Sequence, residues 1–386
     1  MNQESVIQEE HEEYSDDQGD SAVAWEALPP EREFFATPYD PPVKALIQEI
    51  RDRELIVRPT FQRGQVWDPP RKSKFIESIL LNIPIPTLFF AEDDDKSKVV
   101  VDGQQRLLAL KEFIENRYPL RGIEVLTPLT NKSFDDLTER QQRIINNRTL
   151  RCLVISARSD SEIRFQVFER LNQGGVPLNS QEVRHCVYRG ALNDLLHELV
   201  RNPTWLALQG RNEVHTRMLD CELLLRFFAL RNTLPTYSPP LKTILNEYMR
   251  NNREPSSEYI EEMRTGFLRA IGAVHAAFPE NAFRRVSRVG EASKWDASVN
   301  RAVFDVQMLI MEGMDVDALA AHGREIRQVF ETLCLQDDRF KDAVSRATAD
   351  RSRLRDRLDK WAAALKELGL EVPNEDRVPE ALDRDA

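Results

Sequence analysis

The feature that most constrains the fold is a change of pattern near residue 157. From residue 43 to about 157, short apolar runs typical of strands alternate with runs of helical spacing. From there to about residue 370, the apolar residues keep helical spacing alone. The sequence therefore predicts an α+β protein, with an α/β domain over 43–157 followed by an all-helical domain over 158–370.

Length and charge agree with this division. The chain has 386 residues, more than one ordinary hydrophobic core supports. Residues 1–20 carry a net charge of −8 and residues 371–386 a net charge of −4. Since the whole chain carries −11, residues 21–370 carry +1. We expect 1–42 to be an acidic disordered tail and lead-in, and 371–386 to be a second acidic tail. The acidity therefore does not argue against an anionic ligand.

Several classes of protein are excluded. No apolar run reaches the roughly 20 residues that a membrane span needs, and the N-terminus lacks the pattern of a signal peptide. We therefore expect a cytoplasmic protein without a membrane partner. The four cysteines lie more than 30 residues apart, which excludes a disulfide framework or a zinc knuckle. The sequence also lacks a Walker P-loop, a G-x-S-x-G elbow and an H-E-x-x-H helix.

The strongest local feature is a strand that runs into a turn and a helix at residues 101–106, with the sequence VDGQQR. Gly103 permits a tight turn and lets a ligand approach the backbone closely. The N–H groups of Gln104 and Gln105 begin the helix, where the helix dipole favours an anion. The pattern is therefore typical of a phosphate-binding turn.

Two side chains of this turn carry charge. Asp102, at the end of the strand, is placed to hold Mg²⁺ or to orient a water molecule. The guanidinium of Arg106 suits a phosphate because it offers two parallel donors. The residues leave an alternative open, in which Asp102 and Gln105 form a capping box and Arg106 is a surface charge.

Two other segments crowd polar residues together. The loop 59–67 places Gln62 and Arg63 between aromatic residues, and loops held by a scaffold often carry function. Residues 169–184 place polar groups, Asn172 among them, where the end of one helix faces the start of the next. Each segment also has a purely structural interpretation. The first would be a loop anchored by Phe61 and Trp67 with Arg63 in a salt bridge, and the second would be two capped helices joined by a glycine hinge.

Two features suit macromolecular partners. Basic residues recur along the chain, and one group consists of Arg284, Arg285 and Arg288. They predict either a solvated face or a track for the phosphates of double-stranded DNA. The last helical pattern, 340–369, carries an apolar seam that either docks internally or forms a homodimer.

Four blocks of sequence, in this order and spacing, resemble one family. They are Pro59-Thr60-Phe61-Gln62-Arg63-Gly64-x-x-Trp67, Ser78-Ile79-Leu80-x-x-x-Pro84-Ile85-Pro86, Asp102-Gly103-Gln104-Gln105-Arg106-Leu107 and Leu171-Asn172-x-Gly174-Gly175-x-Pro177-Leu178. Over about 43–190 the chain resembles the N-terminal domain of GmrSD-type modification-dependent restriction endonucleases. Members of that family look like relatives of the ParB/sulfiredoxin fold, an α/β scaffold with a phosphate-binding turn.

The resemblance implies a nucleotide site at the turn, with Mg²⁺ and a nucleoside triphosphate as cofactors. Gly103 to Arg106 fall where ParB-like proteins carry Gly-Glu-Arg-Arg. Gln104 stands in place of the glutamate, which leaves Asp102 as the metal ligand. Gly103 and Gln104 would bind the phosphates, and Asp102, Gln105 and Arg106 would act in catalysis.

The resemblance also implies a role in restriction or anti-phage defence. Gln62, Arg63 and Asn172, which belong to the first and fourth blocks, would contact the nucleotide. Many members of the family carry a second, His-Asn-His nuclease half, and residues 191–386 show no such set. The chain therefore looks like the stand-alone form, and its partner would be a separate nuclease or another defence protein.

Three functions stay open at this level. The one we favour is a DNA-directed protein that binds and hydrolyses a nucleoside triphosphate. The second is a nuclease that cuts DNA through the same turn, which the lack of a His-Asn-His set disfavours. The third is a binding or regulatory module without turnover, which the retention of Asp102, Gln105 and Arg106 disfavours.

Overall fold

The computed structural model describes residues 33–57, 67–93, 95–171, 178–290, 292–345 and 350–374. A five-stranded sheet lies in the N-terminal part and helices dominate the rest, which confirms the predicted α+β class. The chain divides into two compact units between Tyr188 and Arg189. No helix among the described residues is long and apolar enough to cross a membrane.

The first unit combines the five-stranded sheet with helices. Its strands are β1 (Ala36–Tyr39), β2 (Leu55–Ile56), β3 (Leu88–Glu92), β4 (Lys98–Asp102) and β5 (Cys152–Ile155). Its helices are α1 (Val43–Arg51), α2 (Pro69–Leu80), α3 (Gln104–Ile114), α4 (Glu139–Asn147), α5 (Ser161–Leu171) and α6 (Ser180–Val187). β1 and α4 were not predicted, since β1 lies in a proline-rich lead-in and α4 carries few apolar residues.

β4 lies between β3 and β2 in the sheet. β2 pairs only with Lys98 and Val99, so Asp102, at the end of β4, pairs with β3 alone. The strand order is β1-β5-β3-β4-β2. β3 pairs antiparallel with β4 and parallel with β5. Phe89 lies opposite Asp102, and the register shifts between Phe89 and Phe90. Such irregularities redirect side chains near functional sites, and this one lies beside the turn.

One hydrophobic core packs against the sheet. Leu88 and Phe90 of β3 and Val100 of β4 enter it, as the alternation of strand residues requires. Their neighbours Ala91 and Val101 are buried as well, so both faces of the sheet are covered. The turn after β4 is therefore held by a rigid scaffold, which a precise binding site requires.

The first unit extends past the predicted boundary at residue 157. It includes α5 and α6, and the division falls at Tyr188 instead. Ser159, just before α5, exchanges hydrogen bonds with the backbone of Phe35 at 2.9 and 3.0 Å, which ties this region to the start of β1. Helical spacing alone does not reveal whether a helix packs with a sheet or with other helices.

The second unit is helical apart from one antiparallel hairpin in its described residues. Its elements are α7 (Ala191–Leu199), α8 (Pro203–Gln209), α9 (Leu219–Thr233), α10 (Leu241–Asn251), α11 (Ser257–Ala277), β6 (Val286–Val289), β7 (Ala292–Trp295), α12 (Arg301–Met311), α13 (Val316–Ala321), α14 (Gly323–Gln336), α15 (Asp338–Ala343) and α16 (Arg351–Glu367). The expectation of a purely helical domain missed the hairpin, because its strands are short and largely polar.

The apolar seam of the last helix is covered within the second unit. Leu354, Leu358, Trp361 and Leu365 of α16 are each at most 1% exposed. The ring of Trp361 meets that of Phe330 on α14 edge to face, with 5.3 Å between their centroids. This burial favours internal docking, the first of the two alternatives that the seam left open.

Candidate functional site

The turn after β4 depends on a glycine. Gly103 is the N-cap of α3 and has a left-handed backbone, with φ at +95°. A Cβ atom added there would lie 2.0 Å from Cδ2 of Leu88 and 3.3 Å from Nη2 of Arg106. Glycine alone suits both this backbone conformation and this space. It also leaves the start of α3 without a side-chain cap, as in helix starts that bind anions, while Gly103 and Gln104 are themselves buried.

Asp102 and Arg106 form an ion pair across the turn, with 2.7 Å between Oδ2 and Nη2. Nη1 of Arg106 also donates to the backbone carbonyl of Pro86. The side chain of Arg106 is only 12% exposed, whereas that of Asp102 is 38% exposed. Burial lowers the pKa of Arg106 and the charge of Asp102 opposes the shift. The guanidinium stays charged at neutral pH because its ordinary pKa is so high.

This geometry decides against the capping box that the sequence left open. Gly103 occupies the cap position, and the carboxylate of Asp102 binds Arg106. Arg106 is not a surface charge either, since most of its side chain is buried. The capping box and the surface charge are therefore both wrong as descriptions of this turn, and the phosphate-binding role of the turn stays a prediction.

Gln105 connects the turn with the start of α2. Its Oε1 accepts a hydrogen bond from the backbone N–H of Trp67 at 3.2 Å. Its Nε2 is buried and has no hydrogen-bond partner among the described residues. Buried polar groups without a partner are rare and costly. This donor is therefore available to a ligand or a water molecule at the turn.

Trp67 is itself fixed by its neighbours. Its ring meets that of Phe75 edge to face, with 5.6 Å between centroids, and the guanidinium of Arg71 lies 5.1 Å from the Trp67 centroid. Asp68 caps α2 by accepting from the backbone N–H of Arg71 at 2.8 Å. The bond from Trp67 to Gln105 therefore joins the first and third sequence blocks through anchored residues.

Other predicted nucleotide-binding residues are placed less fully. Gln62, Arg63 and Asn172 lie outside the described residues. Gln104 is described and begins α3, where its side chain lies in the interior and the residue is 5% exposed. The role predicted for Gln104 therefore rests on its backbone N–H.

Mg²⁺ fits this turn only together with phosphates. Across the described parts of the chain, no three His, Cys, Asp or Glu side chains form a cluster that could hold a metal ion. Magnesium is often bound by one or two carboxylates plus substrate phosphates. Oδ2 of Asp102 binds Arg106, while Oδ1 has no donor among the described residues. Asp102 is thus suited to an ion that arrives with a nucleotide.

Two contributors to the site were missed in the sequence. The carbonyl of Pro86 binds Arg106, and Leu88 closes the space beside Gly103. Pro86 belongs to the second block, but a backbone acceptor leaves no trace in residue type. Leu88 carries only the signal of a buried strand residue, which many positions share.

The three arginines predicted to bind DNA have different surroundings in the second unit. The guanidinium of Arg284 donates to four backbone carbonyls at 2.8 to 3.4 Å. Arg285 forms an ion pair with Asp296 at 3.0 Å. Arg288, on β6, is exposed. Contacts within the unit therefore occupy two of the three, and their role in DNA binding stays a prediction.

The first unit is an α/β domain whose interior strand leads through a glycine turn into a helix, a class of scaffold suited to binding anions. Residues 43–189 match the family described as the GmrSD restriction endonuclease, N-terminal domain. The match confirms the family that the four sequence blocks indicated, and it points to a protein of a restriction or defence system. No curated protein and no solved structure matches the chain. The likeness to the ParB/sulfiredoxin fold stays a prediction.

Proposed function

We propose that the first unit binds a nucleoside triphosphate with Mg²⁺ at the Gly103 turn and hydrolyses it, as part of a restriction or defence system. The observation that carries this proposal is the combination of a glycine-capped helix start with a partly exposed carboxylate, Asp102, one oxygen of which has no protein donor among the described residues. The family match supports the biological setting.

Each group at the turn has a chemical role in this proposal. Asp102 would hold Mg²⁺, which would neutralise charge on the phosphates. The backbone N–H groups of Gly103 and Gln104 donate to phosphate oxygens. Nε2 of Gln105 donates to a phosphate oxygen or to the attacking water. These groups are held in advance by the scaffold, which is how such sites stabilise a transition state.

The test is to incubate the purified chain with each of the four nucleoside triphosphates and Mg²⁺, with and without DNA, and to measure released phosphate. The proposal expects hydrolysis of at least one nucleotide and its loss in Asp102→Ala. If the wild-type chain hydrolyses none of them but binds one, the protein is a nucleotide-gated binding module. If it neither binds nor hydrolyses any of them, the proposed function is wrong.

A second candidate function is DNA binding by the second unit. The hairpin of β6 and β7 carries Arg288 and Lys294, both exposed. A two-stranded ribbon fits the major groove of DNA, and exposed cations suit its phosphates. By contrast, Arg284 and Arg285 are bound within the unit. We therefore propose that the hairpin makes the DNA contact.

Salt dependence tests this second proposal. The affinity of the wild-type chain for double-stranded DNA should fall steeply between about 50 and 200 mM salt. Arg288→Glu should flatten that slope, whereas Arg324→Glu, the same change at an exposed residue of α14, should not. Undetectable binding at about 50 mM salt, with or without nucleotide, would remove DNA as a direct partner.

A further inference from the structure

The sequence predicts that Arg106 binds phosphate, but its surroundings support another role. We propose that Arg106 is a positioning residue, which holds one oxygen of Asp102 in place and leaves the other oxygen for the metal ion. In this account Arg106 does not itself contact the phosphates. The inference rests on the proposed function, because it assigns a role within the same nucleotide site.

The contacts of Arg106 carry the first part of the argument. One terminal nitrogen donates to the carbonyl of Pro86, and the other lies 2.7 Å from Oδ2 of Asp102. With 12% of its side chain exposed, Arg106 is mostly buried and contacts both acceptors. These two contacts use two of the five N–H donors of the guanidinium, and the remaining donors belong to a side chain that is mostly buried. Both contacts therefore fix the guanidinium on groups of the protein itself.

The space around the guanidinium supports the same role. A Cβ atom at Gly103 would come within 3.3 Å of Nη2 of Arg106, so the turn is shaped around this side chain as well as around Leu88. Asp102 is the last residue of β4, and Arg106 lies four residues later in the first turn of α3. Their side chains meet across the turn between the two elements. The ion pair therefore fixes the direction of Asp102 relative to the start of α3.

The two oxygens of Asp102 differ as a result. Oδ2 is bound to Arg106, and Oδ1 has no donor among the described residues. The Asp102 side chain is about three times as exposed as that of Arg106, at 38% against 12%. A carboxylate held by one oxygen and open at the other suits a ligand that binds through a metal ion. Ligands of bound ions are commonly oriented by such hydrogen bonds from neighbouring groups.

The experiment separates metal-dependent from metal-independent binding. Calorimetry measures the affinity of the full chain for non-hydrolysable imido analogues of ATP and GTP, once in EDTA and once in Mg²⁺. The proteins are wild type, Arg106→Gln, Asp102→Asn and the double variant. Arg151→Gln is the matched control, because Arg151 pairs with Asp40 at 3.1 Å in the same unit but is 69% exposed.

We expect the wild-type chain to bind an analogue at least about tenfold more tightly in Mg²⁺ than in EDTA. Arg106→Gln and Asp102→Asn should each remove most of this gain, and the double variant should lose no more than either single one, because the residues act as a unit. The affinity of Arg106→Gln in EDTA should stay within about threefold of wild type. The control should keep the full gain.

Two results would overturn the inference in different ways. A loss of about 10- to 150-fold in the EDTA affinity of Arg106→Gln would mean that the guanidinium contacts the phosphates directly. No binding of either analogue by the wild-type chain would instead reject the proposed function, and the inference with it. If Arg106→Gln does not fold, Arg106→Lys replaces it, since lysine keeps the charge but lacks the planar fork that reaches Pro86 and Asp102 through separate nitrogens. For Arg106→Lys we then expect the same reduced gain in affinity from Mg²⁺, and an affinity in EDTA close to that of wild type.

Discussion

The side-chain oxygen of Gln105 accepts a hydrogen bond from the backbone N–H of Trp67 at 3.2 Å, across 38 residues of sequence. The other polar atom of the same amide, Nε2, is buried without a partner among the described residues. One half of this side chain thus stabilises the fold, and the other half remains for a ligand. A residue placed in this way connects the stability of the first unit with binding at the Gly103 turn.

Replacing Gln105 should therefore lower the stability of the first unit. Gln105→Ala removes the acceptor of the Trp67 N–H, and the free energy of unfolding should fall by about 1 kcal/mol. Gln48→Ala is the control, because Gln48 is exposed and its side chain bonds, among the described residues, with Asp52 just past the end of α1. Its effect should stay within about 0.5 kcal/mol in urea unfolding. Equal effects of the two substitutions would show that the bond to Trp67 contributes nothing.

Gly103 should not tolerate any side chain. Gly103→Ala forces a Cβ to 2.0 Å from Leu88 and places alanine at φ +95°, so we expect a loss of about 1–3 kcal/mol in unfolding free energy. Gly272→Ala, in α11, meets no atom within 4 Å and should be neutral or slightly stabilising. Thermal melts of the two variants measure the difference. A Gly103→Ala protein as stable as wild type would contradict the described turn.

The second unit should depend on a buried carboxylate. Asp305 pairs with Arg226 at 2.5 Å and with Arg357 at 2.7 Å, and all three side chains are almost fully buried. Asp305→Ala would leave two buried cations without their shared partner, at a cost of about 3–5 kcal/mol. Asp359→Ala, which breaks a more exposed ion pair of α16, should change stability by no more than about 0.5 kcal/mol. Chemical denaturation of both variants checks this contrast.

Asp220 should make stability depend on pH. Burial raises its pKa to about 6, although backbone N–H groups of His215 and Cys221 and the charge of Arg211 oppose the shift. Because the folded-state pKa lies above the ordinary value of 3.8, the folded chain retains a proton that the unfolded chain has lost. This contribution to stability is present below about pH 4 and is lost as pH rises through about 6.

The comparison with Asp220→Asn isolates this contribution. Between about pH 4 and 7, unfolding free energy of the wild type should fall relative to the variant, by an amount on the order of 3 kcal/mol at most. Unfolding is followed in urea at a series of pH values. Identical pH profiles for the two proteins would show that Asp220 does not titrate in this range.

The sequence predicted the turn well because strands, glycine turns and helix starts have local signals. The pattern from Val101 to Arg106 gave the strand, the glycine and the helix in their places. It did not reveal that Asp102 and Arg106 bind each other. The same residue types serve in an ion pair within the protein and in a site that binds Mg²⁺ and phosphate. Nor could it reveal the carbonyl of Pro86, since backbone acceptors are independent of the side chain.

The domain boundary and the hairpin show a second kind of limit. α5 and α6 have ordinary helical patterns, and only long-range contacts such as that of Ser159 with Phe35 assign this region to the first unit. In the hairpin, Val286 lies opposite Trp295, but the residues between them are mostly polar. Periodicity detects an element through its apolar face and fails where that face is one or two residues long.

The most direct test of the account is where a nucleotide binds. Hydrogen–deuterium exchange of the full chain, with and without a saturating imido analogue and Mg²⁺, reports protection along the backbone. We predict that protection is concentrated in the peptide that contains Gly103 and the first turn of α3, and that Asp102→Asn weakens it. Binding that protects other segments and leaves this peptide unchanged would contradict the central claim that the Gly103 turn is the phosphate site.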